Sequence, residues 1–361
     1  MRIVILGDIN STHTQRWARA MSQLGHNIHV IGISPPHDST QVEDISHSNL
    51  GISYKNSLGT SSLKKIIYLS AWFKLRRQIR DFNPLFIHAH FASSYGVLAW
   101  LSMFRPYYVS LWGSDIMEFP SRGIVQRKLL GIVVNNSRRV FSTSEIIQKK
   151  ANDLYRAESH KIPFGVHTKL FDTNTVSRGD KIVIGTIKRL ESIYGIDLLI
   201  KSFAKVVEQS NHELSLIIIG SGSQKKELVD LVQSLGVYSL VQFIDRIAYS
   251  EVPRNLARMD IFANLSRRES FGVSVLEASA AGLPVLASDI PGLREVYLEN
   301  ETALIVKVDD LNDTSVKLLR LVEDYSLRKE LGEKGREFVK SRYEWQQNVE
   351  TLNSFYSIDF S

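Results

Sequence analysis

The sequence predicts an α/β protein with two doubly wound parallel sheets, and three observations support this fold class. The first is the opening order of a strand over 3–6, a polar turn over 7–14, a helix over 15–24 and a strand over 28–33, which is one βαβ unit. The second is that the same alternation restarts after Asp180. The third is the length of 361 residues, since single hydrophobic cores stop growing near about 250–300 residues.

The remaining elements follow in order within each half. In the first half, strands are predicted over 85–88, 107–111 and 139–142, and helices over 62–81, 94–104, 122–136 and 145–154. In the second half, strands are predicted over 181–187, 214–219, 240–244, 260–263, 284–287 and 303–306, and helices over 196–208, 224–235, 250–257, 273–281 and 310–322. Because such sheets bind ligands at the carboxyl ends of their strands, the loops at those ends are the candidate sites.

A connector separates the two halves. Pro163 and the polar run 172–179 interrupt the periodic pattern. The predicted domains are therefore 1–165 and 166–340. The last stretch, 341–361, is predicted to be a helix that packs back toward the first domain.

The composition is that of a globular protein, with 43% apolar and 23% charged residues. No apolar run reaches the ~20 residues of a membrane-spanning helix, and residues 1–7 lack the pattern of a secretory leader. We therefore expect a cytoplasmic protein. The chain has no cysteine, which excludes disulfide bonds, thiolate nucleophiles and cysteine metal sites.

The charge is unevenly distributed. Residues 1–165 hold 20 Lys and Arg against 10 Asp and Glu, a net charge of +10, whereas residues 166–361 hold 24 against 28, a net charge of −4. A basic half suits nucleic acid, an anionic membrane or an acidic substrate, and charge alone does not choose among them. Nucleic acid is not expected as a partner, because the basic residues form no known recognition element.

One predicted helix, around 63–82, interleaves apolar side chains with basic ones. The basic residues are Lys64, Lys65, Lys74, Arg76, Arg77 and Arg80. Two interpretations remain open, a core helix with a solvated cationic face or a helix that lies on anionic lipid headgroups.

The most informative segment runs from Glu269 to Glu277. It places one carboxylate in a loop after a strand and the other about a turn and a half inside the next helix. Between them, Ser270, Phe271 and Gly272 supply consecutive backbone amides at a helix start, where the helix dipole favours a phosphate. The residues alone leave open whether this is a phosphate site or whether Ser270 is simply a helix cap.

This segment, together with several others in order, resembles the retaining glycosyltransferases of family 4. The matching stretches are Glu269–Glu277 as a Glu-x7-Glu region, Gly292–Val296, Val183–Thr186, Lys188–Leu190, Tyr194–Ile200, Ile218–Gly222, Val241–Phe243, Ile261–Ser266, Ile87–Phe91 and Trp112–Asp115. The resemblance implies the GT-B fold, in which two Rossmann-like domains face each other across a cleft. It also implies a nucleotide-diphosphate sugar as the donor.

The resemblance assigns roles on the donor side. Glu277 would bind the ribose hydroxyls and Glu269 the donor sugar, while amides of the helix start would hold the diphosphate. Arg189, helped by Lys188, would neutralise the charge that grows on the leaving nucleoside diphosphate. The predicted donor-binding residues are Lys188, Arg189, Gly222, Ser270, Phe271, Gly272, Val273 and Glu277, and the predicted catalytic residues in this half are Glu269 and Arg189.

On the acceptor side, the resemblance places His90 near the anomeric carbon as a catalytic residue, with His13 and Asp115 on the same side. The alternative is a partly buried His90 with a structural role. Two departures from the family pattern bear on the site. Tyr194 stands where many relatives have Lys, and Trp112 stands where His is common.

No cofactor and no metal are expected, because the sequence has neither Asp-x-Asp nor a His cluster at metal-ligand spacing. We expect a retaining, metal-independent glycosyltransferase with a glycan or lipid-linked acceptor, acting in cell-surface polysaccharide or glycolipid synthesis. The basic first domain would meet an anionic membrane, at the inner face of the plasma membrane. The alternatives are a sugar-nucleotide epimerase on the same scaffold and a non-catalytic nucleotide-sugar-binding module.

Overall fold

The computed structural model describes residues 1–37, 42–52, 62–172 and 181–360, with the backbone alone for 62–69. The chain divides into two compact units. The first consists of Met1–Pro163 and Val349–Ser361, and the second consists of Phe164–Asn348. Each unit contains one parallel sheet, as the sequence predicts.

The first unit has a seven-stranded sheet in the order β3-β2-β1-β4-β5-β6-β7. Its strands are β1 (Arg2–Leu6), β2 (Asn27–Gly32), β3 (His47–Asn49), β4 (Phe86–His90), β5 (Tyr107–Leu111), β6 (Arg139–Ser142) and β7 (Ser159–Lys161). Its helices are α1 (Thr12–Gln23), α2 (Ser62–Phe82), α3 (Val97–Leu101), α4 (Ser114–Met117), α5 (Ile124–Asn135) and α6 (Glu145–Tyr155). The register pairs Val4 with both His29 and Ile87, which places β1 between β2 and β4.

The second unit has a six-stranded sheet in the order β10-β9-β8-β11-β12-β13. Its strands are β8 (Ile182–Ile187), β9 (Leu214–Ile219), β10 (Val241–Ile244), β11 (Ile261–Asn264), β12 (Val285–Ser288) and β13 (Ala303–Val306). The helices that follow are α7 (Ile196–Gln209), α8 (Lys225–Ser234), α9 (Val252–Leu256), α10 (Val273–Ala280), α11 (Leu311–Glu323), α12 (Tyr325–Arg342) and α13 (Trp345–Phe360). Helix α13 begins in this unit, and its residues from Val349 onward belong to the first unit.

The central strands are apolar because both faces of a parallel sheet are covered. Every residue of β4, β5, β11, β12 and β13 is buried. In the second unit, the apolar spacing of α7 buries Ile196, Leu199 and Phe203 in the same core as Ile184 and Leu216. These rigid sheets hold the loops at their carboxyl ends, which carry the predicted site residues.

Five elements differ from the sequence prediction. β3 and β7 are edge strands of the sequences His-Ser-Asn and Ser-His-Lys, and neither carries an apolar signal. Helix α4 has only four residues, and α12 is a strongly polar helix with Gly332 and Gly335 in its interior. The helix predicted over 94–104 is instead a π-helical turn over Ala92–Gly96 followed by the short α3.

Among the described helices, none combines the length and the apolar character that a bilayer crossing requires.

Candidate functional site

The centre of the predicted donor site in the second unit is an ion pair between Lys188 and Glu269. Lys188 follows β8, and Glu269 follows the neighbouring strand β11, so both side chains lie at the carboxyl edge of the sheet. The Lys188 Nζ contacts one carboxylate oxygen, and Asn264 Nδ2 donates a 3.0 Å hydrogen bond to the other. The two charged side chains are only 9% and 12% exposed. The pair is therefore held in one geometry and largely removed from water.

Tyr194 completes the surroundings of Lys188. The Lys188 Nζ lies 5.4 Å from the centroid of the Tyr194 ring, a distance at which the ring face attracts a cation. The residue that departs from the family pattern is thus in contact with Lys188. Asn264 and Tyr194 are the two site residues that the sequence reasoning gave no role, although Asn264 was visible as a polar residue at the end of an apolar strand.

Glycines hold the surrounding loops against one another. A Cβ on Gly222 would lie 2.2 Å from the Leu190 carbonyl oxygen, and one on Gly220 would lie 1.8 Å from that of Lys188. A Cβ on Gly292 would lie 1.9 Å from the Glu269 carbonyl oxygen. Only glycine allows these approaches. Gly222 therefore packs directly against the backbone of the loop 188–190, here called the Lys188 loop.

Helix α10 supplies the second carboxylate and the predicted phosphate-binding amides. Phe271 and Gly272 are buried just before its first residue, Val273, and Glu277 lies inside the helix with 7% exposure. The Ser274 hydroxyl in its first turn is buried, and the described residues offer it no hydrogen-bond partner. Ser270 is half-buried in the loop ahead of the helix.

Arg189 is placed differently from Lys188. Its side chain is 73% exposed, and its Nη2 lies 3.4 Å from Glu191 Oε1. A loose surface pair of this kind contributes little to stability. The guanidinium can therefore move to an anion without giving up a buried partner.

The predicted acceptor side lies in the first unit, where three rings form a cluster. His90 ends β4, and its ring centroid is 4.7 Å from that of Trp112, which follows β5. The His13 ring meets the same indole at 5.9 Å. Burial first, and then His88 and His13, hold the pKa of His90 well below its usual range, and burial together with Arg16 lowers the pKa of His13. Both imidazoles are therefore neutral at physiological pH.

Asp115 is fully buried beneath this cluster. Its carboxylate accepts hydrogen bonds from the backbone amides of Ala92 and Gly113, both at 2.8 Å, and of Trp112 at 3.1 Å. Burial raises the pKa of Asp115, while these three amides oppose the rise. The carboxylate thus connects the loop after His90 to the loop that carries Trp112.

The structure brings together Lys188 with Glu269, and His90 with His13. The described residues contain no group of three or more His, Asp or Glu side chains placed to hold a metal ion.

Two family models match the chain. Residues 169–338 match the glycosyl transferases group 1, and residues 2–144 match the glycosyl transferase 4-like family. Between them these matches cover most of both units.

Known proteins show the same similarity. The chain is 24% identical to N-acetyl-alpha-D-glucosaminyl L-malate synthase of Bacillus anthracis, over 75% of this chain and 74% of the relative. It is 28% identical to a GDP-mannose-dependent alpha-(1-6)-phosphatidylinositol monomannoside mannosyltransferase of Mycobacterium tuberculosis, over 54% of each chain. Among solved structures, Anabaena HepE in complex with UDP-glucose matches with a TM-score of 0.80 and 19% identity, over 98% of this chain and 100% of that one.

The structural match confirms the predicted GT-B fold class. The family matches decide among the alternatives that the residues left open, because both describe glycosyl transferases and neither describes an epimerase or a binding module. The chain belongs to the glycosyl transferases group 1, family 4, and is a glycosyltransferase that uses nucleotide sugars.

Proposed function

We propose that this enzyme is a retaining, metal-independent glycosyltransferase that moves a sugar from a nucleotide-diphosphate sugar to a hydroxyl of a glycan or lipid-linked acceptor. We place it in the synthesis of a cell-surface polysaccharide or glycolipid. The observation that carries the proposal is the Lys188–Glu269 pair with Asn264, at the carboxyl edge of the second sheet and close in sequence to the start of α10.

The proposed donor site divides its tasks among side chains of different character. Glu277 accepts hydrogen bonds from the ribose hydroxyls, and Glu269 contacts the donor sugar. Lys188 and the exposed Arg189 stabilise the negative charge on the leaving diphosphate, with the amides of Phe271 and Gly272. Since two cations and a helix start supply this stabilisation, no divalent cation is required. Activity should persist in EDTA, and loss of activity that Mg²⁺ or Mn²⁺ restores would overturn this assignment.

His90 is proposed to line the reacting centre on the acceptor side. Retention requires the acceptor hydroxyl to approach from the face that the diphosphate leaves, so an uncharged hydrogen-bonding group there can orient both without competing for the anion. His90→Ala should lower turnover by about 10²-fold and leave nucleotide affinity unchanged. Unchanged turnover would make His90 structural, and an inverted product anomer would contradict retention.

The donor site is tested by kinetics of two variants and a control. Glu277→Gln should raise the donor KM, because an amide replaces the acceptor-only carboxylate. Arg189→Ala should lower kcat/KM without changing the thermal midpoint, since its side chain is exposed. Arg320→Ala, another exposed arginine on α11, is the matched control and should behave as wild type. Wild-type kinetics in both site variants would refute the proposed site.

The mycobacterial relative, named for phosphatidylinositol monomannoside, supports a lipid-linked acceptor, and an exposed surface on the first unit supports it further. The apolar patch consists of Trp72, Phe73, Leu101 and Met103. The Trp72 indole donates to the Leu101 carbonyl at 2.8 Å and contacts the Phe73 ring at 4.7 Å. Phe73 and Met103 are 59% and 70% exposed.

Basic side chains accompany this patch. Arg76 stacks on Trp72 at 5.0 Å, and Arg77 and Arg80 follow on the same helix. Lys64 and Lys65, two further basic residues of the same helix, lie outside the described side chains. Each basic residue close to an anionic leaflet contributes about 1 kcal/mol. We propose that the apolar patch and these arginines rest on an anionic membrane.

Vesicle sedimentation tests the membrane proposal. The wild type should sediment with anionic but not neutral vesicles, and salt should release it. Phe73→Ser with Met103→Ser should weaken the binding, whereas Val316→Ser, on an equally exposed valine of α11, should not. Equal vesicle binding by the double variant and the control would show that the apolar patch does not contact the membrane. Equal recovery of the wild type in the soluble fraction with neutral and with anionic vesicles would reject the membrane proposal.

A further inference from the structure

A second buried histidine lies directly behind His90. His88 and His90 are two residues apart on β4, so their side chains point to the same face of the sheet. They are 1% and 2% exposed, and their ring centroids are 4.9 Å apart with an edge-to-face angle of 83°. The orientation of one ring therefore limits the orientation of the other.

Both nitrogens of His88 are hydrogen-bonded. Its Nε2 pairs with Ser110 Oγ at 2.8 Å, and its Nδ1 pairs with the Tyr356 hydroxyl. Burial lowers the pKa of His88 to about 3, so the ring is neutral and uses one nitrogen as donor and the other as acceptor. Two bonds on opposite sides of a neutral ring fix its plane.

Tyr356 is itself firmly held, on the part of α13 that belongs to the first unit. Its ring packs 4.7 Å from that of Phe86. One turn later, the Asp359 carboxylate, on a side chain that is 2% exposed, accepts 2.6 Å bonds from Arg139 Nε and Nη2 and a 2.8 Å bond from the Tyr108 hydroxyl. This bidentate pair anchors the end of the helix on β5 and β6.

His90 lacks a comparable anchor of its own. Among the described residues, its buried Nδ1 has no hydrogen-bond partner. Its ring is held by packing between Trp112 and His88 instead.

From this geometry we infer that Tyr356 and His88 are positioning residues for His90, so that the C-terminal helix sets the orientation of the imidazole at the reacting centre. The inference rests on the role proposed for His90. Loss of the Tyr356 hydroxyl leaves His88 Nδ1 unpaired and allows the His88 ring to turn about its remaining bond to Ser110, so that the ring packed against His90 is no longer held in one orientation. A misplacement of about 1 Å at a reacting centre can cost about 10²-fold in rate.

The test compares two buried tyrosines that each lose one hydroxyl. Tyr356→Phe should lower kcat by about 10-fold or more at unchanged donor KM. The control is Tyr107→Phe, because the Tyr107 hydroxyl is equally buried and donates to the Val133 carbonyl at 2.7 Å, away from both histidines. The control should lose thermal stability to a similar extent and keep its kcat. A kcat that falls equally in both variants would overturn the inference.

A double-mutant cycle separates this inference from the role of His90. In the His90→Ala background, Tyr356→Phe should have no further effect on kcat, because the group it positions is gone. Additive losses would overturn the positioning role. If His90→Ala alone leaves turnover unchanged, the role proposed for His90 is rejected, independently of the result for Tyr356→Phe.

A spectroscopic readout does not depend on activity. The ¹⁵N and ¹H ring resonances of His90 should shift in Tyr356→Phe and stay in place in Tyr107→Phe. Should Tyr356→Phe not fold, Ser110→Ala removes the bond at the other His88 nitrogen and should give the same shift. Unmoved His90 resonances in the folded variant would overturn the inference.

Discussion

At the scale of single residues, the donor site shows how one substitution in a family pattern is accommodated. Tyr194 takes the position where relatives often carry Lys, and its ring lies against the ammonium of Lys188. Glu269 contacts the same ammonium. The lysine of the family pattern is therefore replaced by an aromatic ring that contacts Lys188, the neighbour of Arg189. We interpret the contact as a way to hold Lys188 in the proposed donor site.

This interpretation predicts a difference between two Tyr194 variants. Tyr194→Leu removes a cation–π contact of about 1 kcal/mol and should raise the donor KM about fivefold. Tyr194→Phe keeps the ring face and should match the wild type. Steady-state kinetics over a range of donor concentrations measure both. Equal KM values for the Leu and Phe variants would show that the ring face does not hold Lys188.

At the scale of elements, the sequence predicted the strands that form continuous apolar runs and the polar residues at their ends. β1, β4, β8 and β11 were visible as apolar runs. The polar residues that end or follow them, including His90, Lys188 and Glu269, could each be assigned to the carboxyl edge of its own sheet. The edge strands β3 and β7 could not be seen, because polar tripeptides pair there only through the backbone of a neighbouring strand. The contacts of Tyr356 with His88 cross 268 residues of sequence and leave no local signal.

Strand β4 makes stability depend on pH. The pKa of His88 is about 3 in the folded chain and 6.5 when unperturbed, so between these values the unfolded chain binds a proton that the folded chain does not. The contribution of neutral His88 to the free energy of unfolding is therefore fully present above pH 6.5 and is lost progressively as the pH falls below it. Between pH 6.5 and 5, protonation of this residue in the unfolded chain should lower the free energy of unfolding by about 2 kcal/mol. His88→Gln should lose less stability on acidification, measured by urea unfolding at pH 7.5 and 5.0.

An exposed histidine provides the control for this experiment. His37→Gln should lose as much stability as the wild type on acidification, because His37 is solvent-accessible in the folded chain. If His88→Gln and the wild type lose equal stability, the buried imidazole is not the cause.

The close packing of Gly222 in the second unit predicts the effect of an added methyl group. Gly222→Ala places a methyl group 2.2 Å from the Leu190 carbonyl oxygen and should displace the Lys188 loop, with weaker donor binding and a lower thermal midpoint. Gly335→Ala on α12 is the matched control, since the added Cβ would lie at an ordinary 3.4 Å from the Ser279 side chain. Calorimetric titration with nucleoside diphosphates measures the binding. Equal affinity in the two variants would contradict the packing role of Gly222.

At the scale of the whole molecule, charge and chemistry are divided between the halves of the chain. The half that carries the proposed nucleotide site has a net charge of −4, and the half that carries His90 and the apolar patch has a net charge of +10. In the proposed site, an anionic nucleotide would be bound by a few local cations and helix amides rather than by a positive surface. The positive charge of the other half remains available for an anionic membrane that carries the acceptor. The proposed lipid-linked acceptor requires this separation of charge.

The most direct test is the thermal midpoint of the protein with UDP, GDP and ADP sugars, measured for the wild type, Glu277→Ala and the exposed-residue control Glu323→Ala. A ligand at 100 times its Kd stabilises the folded state by about 2.7 kcal/mol. At least one nucleotide sugar should raise the midpoint of the wild type and of the control by several degrees, and should leave Glu277→Ala almost unchanged. No shift with any nucleotide sugar, or an equal shift in all three proteins, would contradict a donor site built on α10.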